Sequence, residues 1–327
     1  MPFIALNLNT LPMNAMLPLV EAQEPAALEA ELVPERLLRT TNKGNNLLYV
    51  VNAGNAPACL QEIGRLRELS YRAEGGGTGK ACDLDSFDLD PQGYEQMLVW
   101  DPENRQIMAA YRFVECRNTG PDSQGNFKLS SGSLFAFSDD FCRNVLPYTI
   151  ELGRAFVAPD YQPDGLYRKG IFALDNLWDG LGALTVVRQD IRYLYGKVTV
   201  YGDYPPEAMV ELHSFMTHFF GDSEGWVIPW HSLALEIPLS PIVQDYWSGL
   251  DYEKALVVLN KKAQEKGCRI PPLIPAYMNL SSTMRYFGFA HNADFGKVDE
   301  AGILVTIADI NASKTERHIR SYTPPQT

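Results

Sequence analysis

A glutamate and an arginine stand three residues apart inside an otherwise apolar run, Thr149-Ile-Glu-Leu-Gly-Arg-Ala-Phe-Val157. The run reads as a buried strand, and burying charge is costly unless the charge is paired or used. Glu151 and Arg154 therefore form either a structural ion pair or part of an active-site wall. Strand geometry makes the distinction testable, because residues three apart on a regular strand point to opposite faces. Both can line one cleft only if the strand bulges between them, and Gly153 is the expected place.

Other motifs are weaker. Asp83-Leu-Asp-Ser-Phe-Asp-Leu-Asp90 puts four carboxylates in eight residues. It lacks the glycine at position six and the glutamate at position twelve of a calcium loop. A solvated turn or an anionic wall that attracts an amine remains. Glu74-Gly-Gly-Gly-Thr-Gly-Lys80 fails the phosphate-loop pattern at both ends, where Glu74 and Ala81 stand, and reads as a mobile loop shaping a cleft. Arg168-Lys-Gly170 opens a helix, where backbone N–H groups and cations suit a phosphate; a basic surface turn is the plainer reading. Five scattered cysteines (Cys59, Cys82, Cys116, Cys142, Cys268) show no CxxC spacing, and His213 and His218 lie five apart. Neither set suggests a metal, and the cysteines suggest a reducing compartment.

The elements that must position these residues can be read from periodicity. Residues 22–40 read as a helix. Asn45–Asn52 reads as a strand, and Pro57 opens a helix to about Arg72, with Leu60, Ile63, Leu66 and Leu69 on one face. Strands are expected at 96–101 and 106–114, and Arg117–Ser133 as an exposed polar excursion. After the charged strand come a helix at 171–188, a strand at 193–201 and a helix at 205–220. Helices at 252–266 and 272–279 and strands at 283–289 and 302–307 follow. The fold class is α/β (α+β), a mixed central sheet flanked by helices.

The 327 residues carry 28 Lys+Arg against 40 Asp+Glu, a net charge of −12. That argues against a general nucleic-acid partner and a strongly basic membrane surface. Residues 1–20 hold no charged side chain but are interrupted by Asn and Pro, unlike a secretory signal or a membrane span. They are expected as an N-terminal arm, with an apolar edge touching lipid as the alternative. A cytoplasmic protein is expected, possible peripheral contact at the inner membrane face included.

The strand–loop–helix 148–188 resembles the acyl-donor motif of the GNAT acyltransferases. More narrowly, the chain is similar to the hemolysin-like branch with ornithine- and glycine-lipid N-acyltransferases, and distantly to acyl-homoserine-lactone synthases. The matching elements are Arg65, Arg67 and Arg72 on one helix; Asp85-x-x-Asp88; Arg112; and Glu151-x-x-Arg154-x-x-Val157. Pro271-Pro-Leu-Ile-Pro-Ala-Tyr277, Asp294-Phe295 and Asp299 complete the set, over residues 45–310. The resemblance implies a GNAT-like core at 45–230, an arm and helix at 1–44 and an α/β extension at 231–327. It implies transfer of a long 3-hydroxy acyl chain from acyl carrier protein to a small amine such as an amino acid, in aminolipid synthesis, with no permanently bound cofactor. The R-x-x-G-x-G/A pyrophosphate loop is absent, which favours an acyl-carrier-protein phosphopantetheine over coenzyme A. An acidic carrier would need a basic dock, for which Arg65, Arg67, Arg72, Lys80, Arg168 and Lys169 are candidates.

Amide formation needs a neutral amine, a positioned thioester and a stabilised oxyanion. Glu151 is the candidate base, through water, with Arg154 beside it. Phe156 and Val157 N–H groups would bind the acyl carbonyl or pantetheine, with Arg168, Lys169 and Gly170 at the phosphate. Asp85, Asp88 and Arg112 order the loop or bind the acceptor, and Tyr201 is a candidate acid. A non-catalytic protein binding acyl chains or carrier protein, and a lactone-signal synthase, are the alternatives.

Overall fold

A computed structural model of the chain describes residues 16–120, 127–163, 165–231, 234–235 and 246–324. The expected arm at 1–20 falls mostly outside them. Its described end is strapped to the glycine-rich loop, Leu17 N–H to the Gly79 carbonyl and Val20 N–H to that of Ala81.

An eight-stranded sheet organises the molecule, in the order β1-β2-β3-β4-β6-β7-β10-β9. These are β1 Leu37–Thr40, β2 Leu47–Val51, β3 Glu95–Asp101, β4 Gln106–Glu115, β6 Thr149–Val157, β7 Tyr193–Val200, β9 Arg285–Asn292 and β10 Val298–Thr306. Two short strands, β5 Phe135–Phe137 and β8 Val227–Pro229, pair separately. Every pairing in the large sheet is antiparallel except β6 with β7. The fold is thus a mixed α/β sheet flanked by helices, as expected.

The expected helix at 22–40 is corrected. Only α1, Pro25–Glu31, is helical; a 3-10 turn at Pro34–Arg36 leads into edge strand β1. Pro34 lacks the N–H and crowds the preceding turn, so the leucines beyond it pair with β2 instead. α2, Pro57–Ala73, buries Leu60, Ile63 and Leu66 as its spacing requires, but also Glu62, Arg67 and Glu68. Buried charge on this helix points it at a polar interior. The short α3 is Ser86–Leu89 and α4 is Asp139–Asn144. α5, Ala173–Val187, connects β6 to β7, the crossover that a parallel pair needs. α6 is Pro206–Phe220, α7 Tyr252–Glu265 and α8 Leu273–Met278.

The polar excursion 117–133 is exposed only in part. Leu129 and Ser131 are buried, Leu129 in the cluster with Tyr94, Val114 and Phe135, and Ser131 through its N–H bond to Glu151 of β6. Residues 121–126 lie outside the described set.

Candidate active site

β6 changes character midway. Its parallel pairing with β7 lasts four rungs, from Thr149–Tyr193 to Leu152–Gly196, and then stops. Beyond that point β7 pairs on with β10, while β6 stays with β4. Against β4, Arg112 faces Gly153 and Ala110 faces Phe156, so Tyr111 stands opposite two residues, Arg154 and Ala155. That is a β-bulge, one step past Gly153. Arg154 takes it at a φ of 53°, a left-handed conformation unusual for a side-chain-bearing residue. The bulge turns β6 away from β7 and opens a slot between them.

A cavity of about 520 Å³ lies in the slot. Gly153, Arg154 and Ala155 form one wall, and Lys197, Thr199 and Tyr201 another. The bulge delivers Arg154 to the face that carries Gly153. Its guanidinium lies 3.2 Å from Asp83 and 3.8 Å from Asp85, with Cζ 4.6 Å from the Phe295 ring centre.

Glu151 lies deeper, 1% exposed and not in the cavity wall. Its carboxylate accepts hydrogen bonds from the Tyr94 hydroxyl and from the N–H groups of Ser130 and Ser131 (3.2 and 2.9 Å). Ser130 does line the cavity. The glutamate thus sits under the wall and holds it. Burial and the nearby Glu151 carboxylate push the Tyr94 phenol well above its ordinary value, so Tyr94 remains a donor.

Asp85, Asp88 and Arg112 come together as one network. Arg112 donates to Asp85 at 2.8 Å and to Asp88 at 3.0 Å; Arg67 donates to Asp88 at 3.0 Å, and Gln96 adds a bond of 2.9 Å. Asp85 and Asp88 also form a reciprocal capping box around α3. Asp88 is wholly buried, while Asp85 and Arg112 reach the cavity. Burial alone would raise the Asp88 carboxyl, but the Arg67 and Arg112 charges override it and hold the group well below the usual range. Nearby Asp83 goes the other way, because burial outweighs its attraction to Arg154 and Arg67. Arg67, fully buried, is thereby removed as a docking cation. Arg65 and Arg72 are paired along α2 with Glu62 and Glu68.

The glycine-rich loop shapes the cleft but is pinned. Glu68 accepts from the Thr78 N–H (3.0 Å), the Thr78 hydroxyl (2.8 Å) and the Gly79 N–H (2.7 Å).

Phe156, Val157, Arg168, Lys169 and Gly170 lie outside the cavity wall. Phe156 is core, and the Val157 carbonyl accepts from Ser70 and Gln162. Lys169 is engaged by Asp101 and Glu103, each at 2.8 Å, at the far end of β3. Gly170 passes so close to the Tyr161 carbonyl that a Cβ would come within 1.8 Å. This turn is packed by structural contacts, with Arg168 exposed beside them.

Sequence reasoning passed over several wall residues. Glu300 on β10 is buried yet lines the cavity; it accepts from Asn292 (3.0 Å) and Thr199 (3.2 Å) and faces Lys197 at 3.6 Å. The signal existed, since Glu300 is another carboxylate in an apolar strand, but the strand was expected to begin after it. Tyr201 lines the cavity, and burial, with the Glu74 and Glu300 charges, pushes its phenol up to about 12.

The profile described as "Acetyltransferase (GNAT) domain" matches residues 66–168, from within α2 to just past β6. A glycine N(alpha)-acyltransferase of Phocaeicola vulgatus is 41% identical over 295 residues, covering 90% of each chain. Its namesake in Bacteroides thetaiotaomicron is 43% identical, covering 90% of this chain and 87% of that protein. The chain belongs to this GNAT acyltransferase family. As a GNAT acyltransferase it is an enzyme that moves an acyl group. Among solved structures, FeeM, an N-acyl amino acid synthase from uncultured soil microbes, aligns over 81% of this chain and 93% of its own. At 10% identity and a TM-score of 0.40 that likeness carries no argument. Among the described residues no helix is long and apolar enough to cross a membrane, and no cluster of three or more His, Cys, Asp or Glu could hold a metal.

Proposed function

We propose that this enzyme transfers a long 3-hydroxy acyl chain from acyl carrier protein to the amine of glycine or a similar amino acid, forming an aminolipid. The observation that carries the reading is the slot. A strand pair that parts after four rungs and encloses a cavity of about 520 Å³ suits an extended thioester arm. The two relatives named for glycine acylation support the acceptor. The carrier protein is favoured as donor by the sequence of loop 158–170, which lacks a pyrophosphate-binding pattern.

In this mechanism the thioester lies against Gly153–Ala155, and N–H groups on the freed edge of β6, Val157 among them, bind the acyl carbonyl or pantetheine. Glu151 is the base, reached through water at Ser130, and Arg154 holds the slot open and faces the developing negative charge. Asp85 and Arg112 stiffen the wall behind it, with Asp88 buried at their back. Tyr201, with a phenol near 12, hydrogen-bonds to the departing thiolate rather than protonating it fully. Arg168, Lys169 and Gly170 remain the proposed neighbourhood of the donor phosphate, and peripheral contact at the inner membrane face would deliver the product. The arm 1–44, core 45–230 and extension 231–327 enter the proposal as the units that respectively brace, catalyse and close the acceptor side.

Glu300 is a second carboxylate to weigh, because it lines the cavity directly. The test is transfer from 3-hydroxyacyl carrier protein and from acyl-CoA to glycine, followed by mass spectrometry. Efficient transfer from the carrier protein alone supports the reading; transfer only from CoA overturns the donor. A Glu151→Gln enzyme with a wild-type pH–rate profile would move the base to Glu300.

A further inference from the structure

Four cations line the cavity, and three have carboxylate partners. Arg112 is bound to Asp85 and Asp88, Arg154 lies against Asp83 and Asp85, and Lys197 faces Glu300. Arg269 has no carboxylate within ion-pairing distance and no hydrogen-bond partner among the described residues. It is also held in place. Ile270 beside it is buried, and Pro271-Pro272, which also line the cavity, fix the backbone before α8. Three carboxylates at the same cavity, Glu74, Asp203 and Asp294, likewise have no ion-pair partner among the described residues. Asp294 adjoins Phe295, the ring against Arg154.

We infer that Arg269 binds the carboxylate of an amino-acid acceptor, so that the amine end of the zwitterion lies toward the unpaired carboxylates and the slot. The inference rests on the amino-acid acceptor proposed above and names the group that would select it. A guanidinium offers a planar fork of donors that matches a carboxylate in a bidentate pair. The cation is free for a ligand because the other three are neutralised within the protein. An amine lacking the carboxylate would gain nothing from it.

The experiment compares glycine with glycinamide as acceptors in the wild type, Arg269→Ala and Arg269→Lys, with the donor KM measured alongside. For Arg269→Ala the KM for glycine is expected to rise about tenfold or more, with kcat little changed, as loss of uniform binding predicts. KM for glycinamide and for the donor should stay put, and lysine should restore part of the loss. Arg269 is exposed, so all variants should fold, which a melting curve checks. An equal rise for both acceptors, an unchanged glycine KM, or a rise in donor KM alone overturns the assignment; the last would place Arg269 on the donor phosphate. The two readings fail separately. A wild type that acylates glycinamide as readily as glycine overturns the amino-acid acceptor itself. A wild type that prefers glycine, with the preference intact in Arg269→Ala, overturns Arg269 alone.

Discussion

The two halves of β6 hold charges of opposite sign and opposite fate. In Thr149–Leu152 the strand is paired on both edges, and Glu151 is buried with three donors on its carboxylate. In Gly153–Val157 one edge is released by β7, the backbone bulges, and Arg154 projects into a cavity with its side chain 21% exposed. A regular ladder can bury a carboxylate only by saturating it. An interrupted ladder can bring a cation, still paired with Asp83 and Asp85, to the wall of a cavity.

The comparison is tested first by its largest expected effect. Glu151→Ala leaves the Tyr94 hydroxyl and the buried Ser131 N–H without an acceptor, while the Ser130 N–H keeps its bond to the Tyr94 oxygen (2.8 Å). At about 1–3 kcal/mol for each stranded group, plus the cavity left behind, stability in urea titration should fall by roughly 3 kcal/mol or more. A loss under about 1 kcal/mol would show that the first half of β6 is not held this way. Next to it, Asp88→Asn breaks the buried network behind the slot and should cost about 3–5 kcal/mol near neutral pH. The sign with pH follows from the depressed Asp88 carboxyl. Its stabilisation is full above the unfolded value of about 3.9 and disappears as pH falls through the lower folded value. The gap between wild type and Asp88→Asn should therefore be constant from about pH 5 to 7 and shrink below about pH 4. A gap that instead widens in acid would contradict the assignment.

Across the bulge the balance reverses. Arg154→Ala should leave the enzyme folded, at a cost of about 1–3 kcal/mol for the buried Asp83 carboxylate that loses its cation. It should lower kcat/KM about 100-fold, roughly 2.7 kcal/mol of transition-state stabilisation. The smallest effect separates backbone from side chain. Arg154→Gly removes the guanidinium but relieves the left-handed backbone, so it should be about 1 kcal/mol more stable than Arg154→Ala and equally inactive. Equal stability of the two variants would mean that the bulge stores no strain.

The charged strand was legible because Glu151 and Arg154 break an apolar run, but the period of two required a bulge only if both lined one cleft. Glu151 lies behind the wall, and the bulge falls at Arg154 and Ala155 rather than between the two charges. The residue that carries the bulge was not legible. Gly153 was expected to take it, yet Arg154 adopts the positive φ, held by Asp83, Asp85 and Phe295 from distant parts of the chain. Local propensity does not contain those partners. The helix expected at 22–40 failed for a local reason, Pro34, whereas the docking role suggested for Arg67 failed for a non-local one, the buried partners Asp88 and Gln96. Arg168 and Lys169 looked like a phosphate site because a helix start and two cations coincide; the Asp101 and Glu103 carboxylates that hold Lys169 lie more than sixty residues upstream.

The central claim is that acyl transfer takes place in the slot opened between β6 and β7. Ala155 is exposed and lines that slot, so Ala155→Phe should fill it without disturbing the core. Single-turnover transfer from 3-hydroxyacyl carrier protein to glycine, beside a melting curve, tests the claim directly. The expected result is a wild-type melting temperature with transfer reduced about 100-fold or more, a barrier increase of about 2.7 kcal/mol. Undiminished transfer by a folded Ala155→Phe enzyme would place the reaction elsewhere.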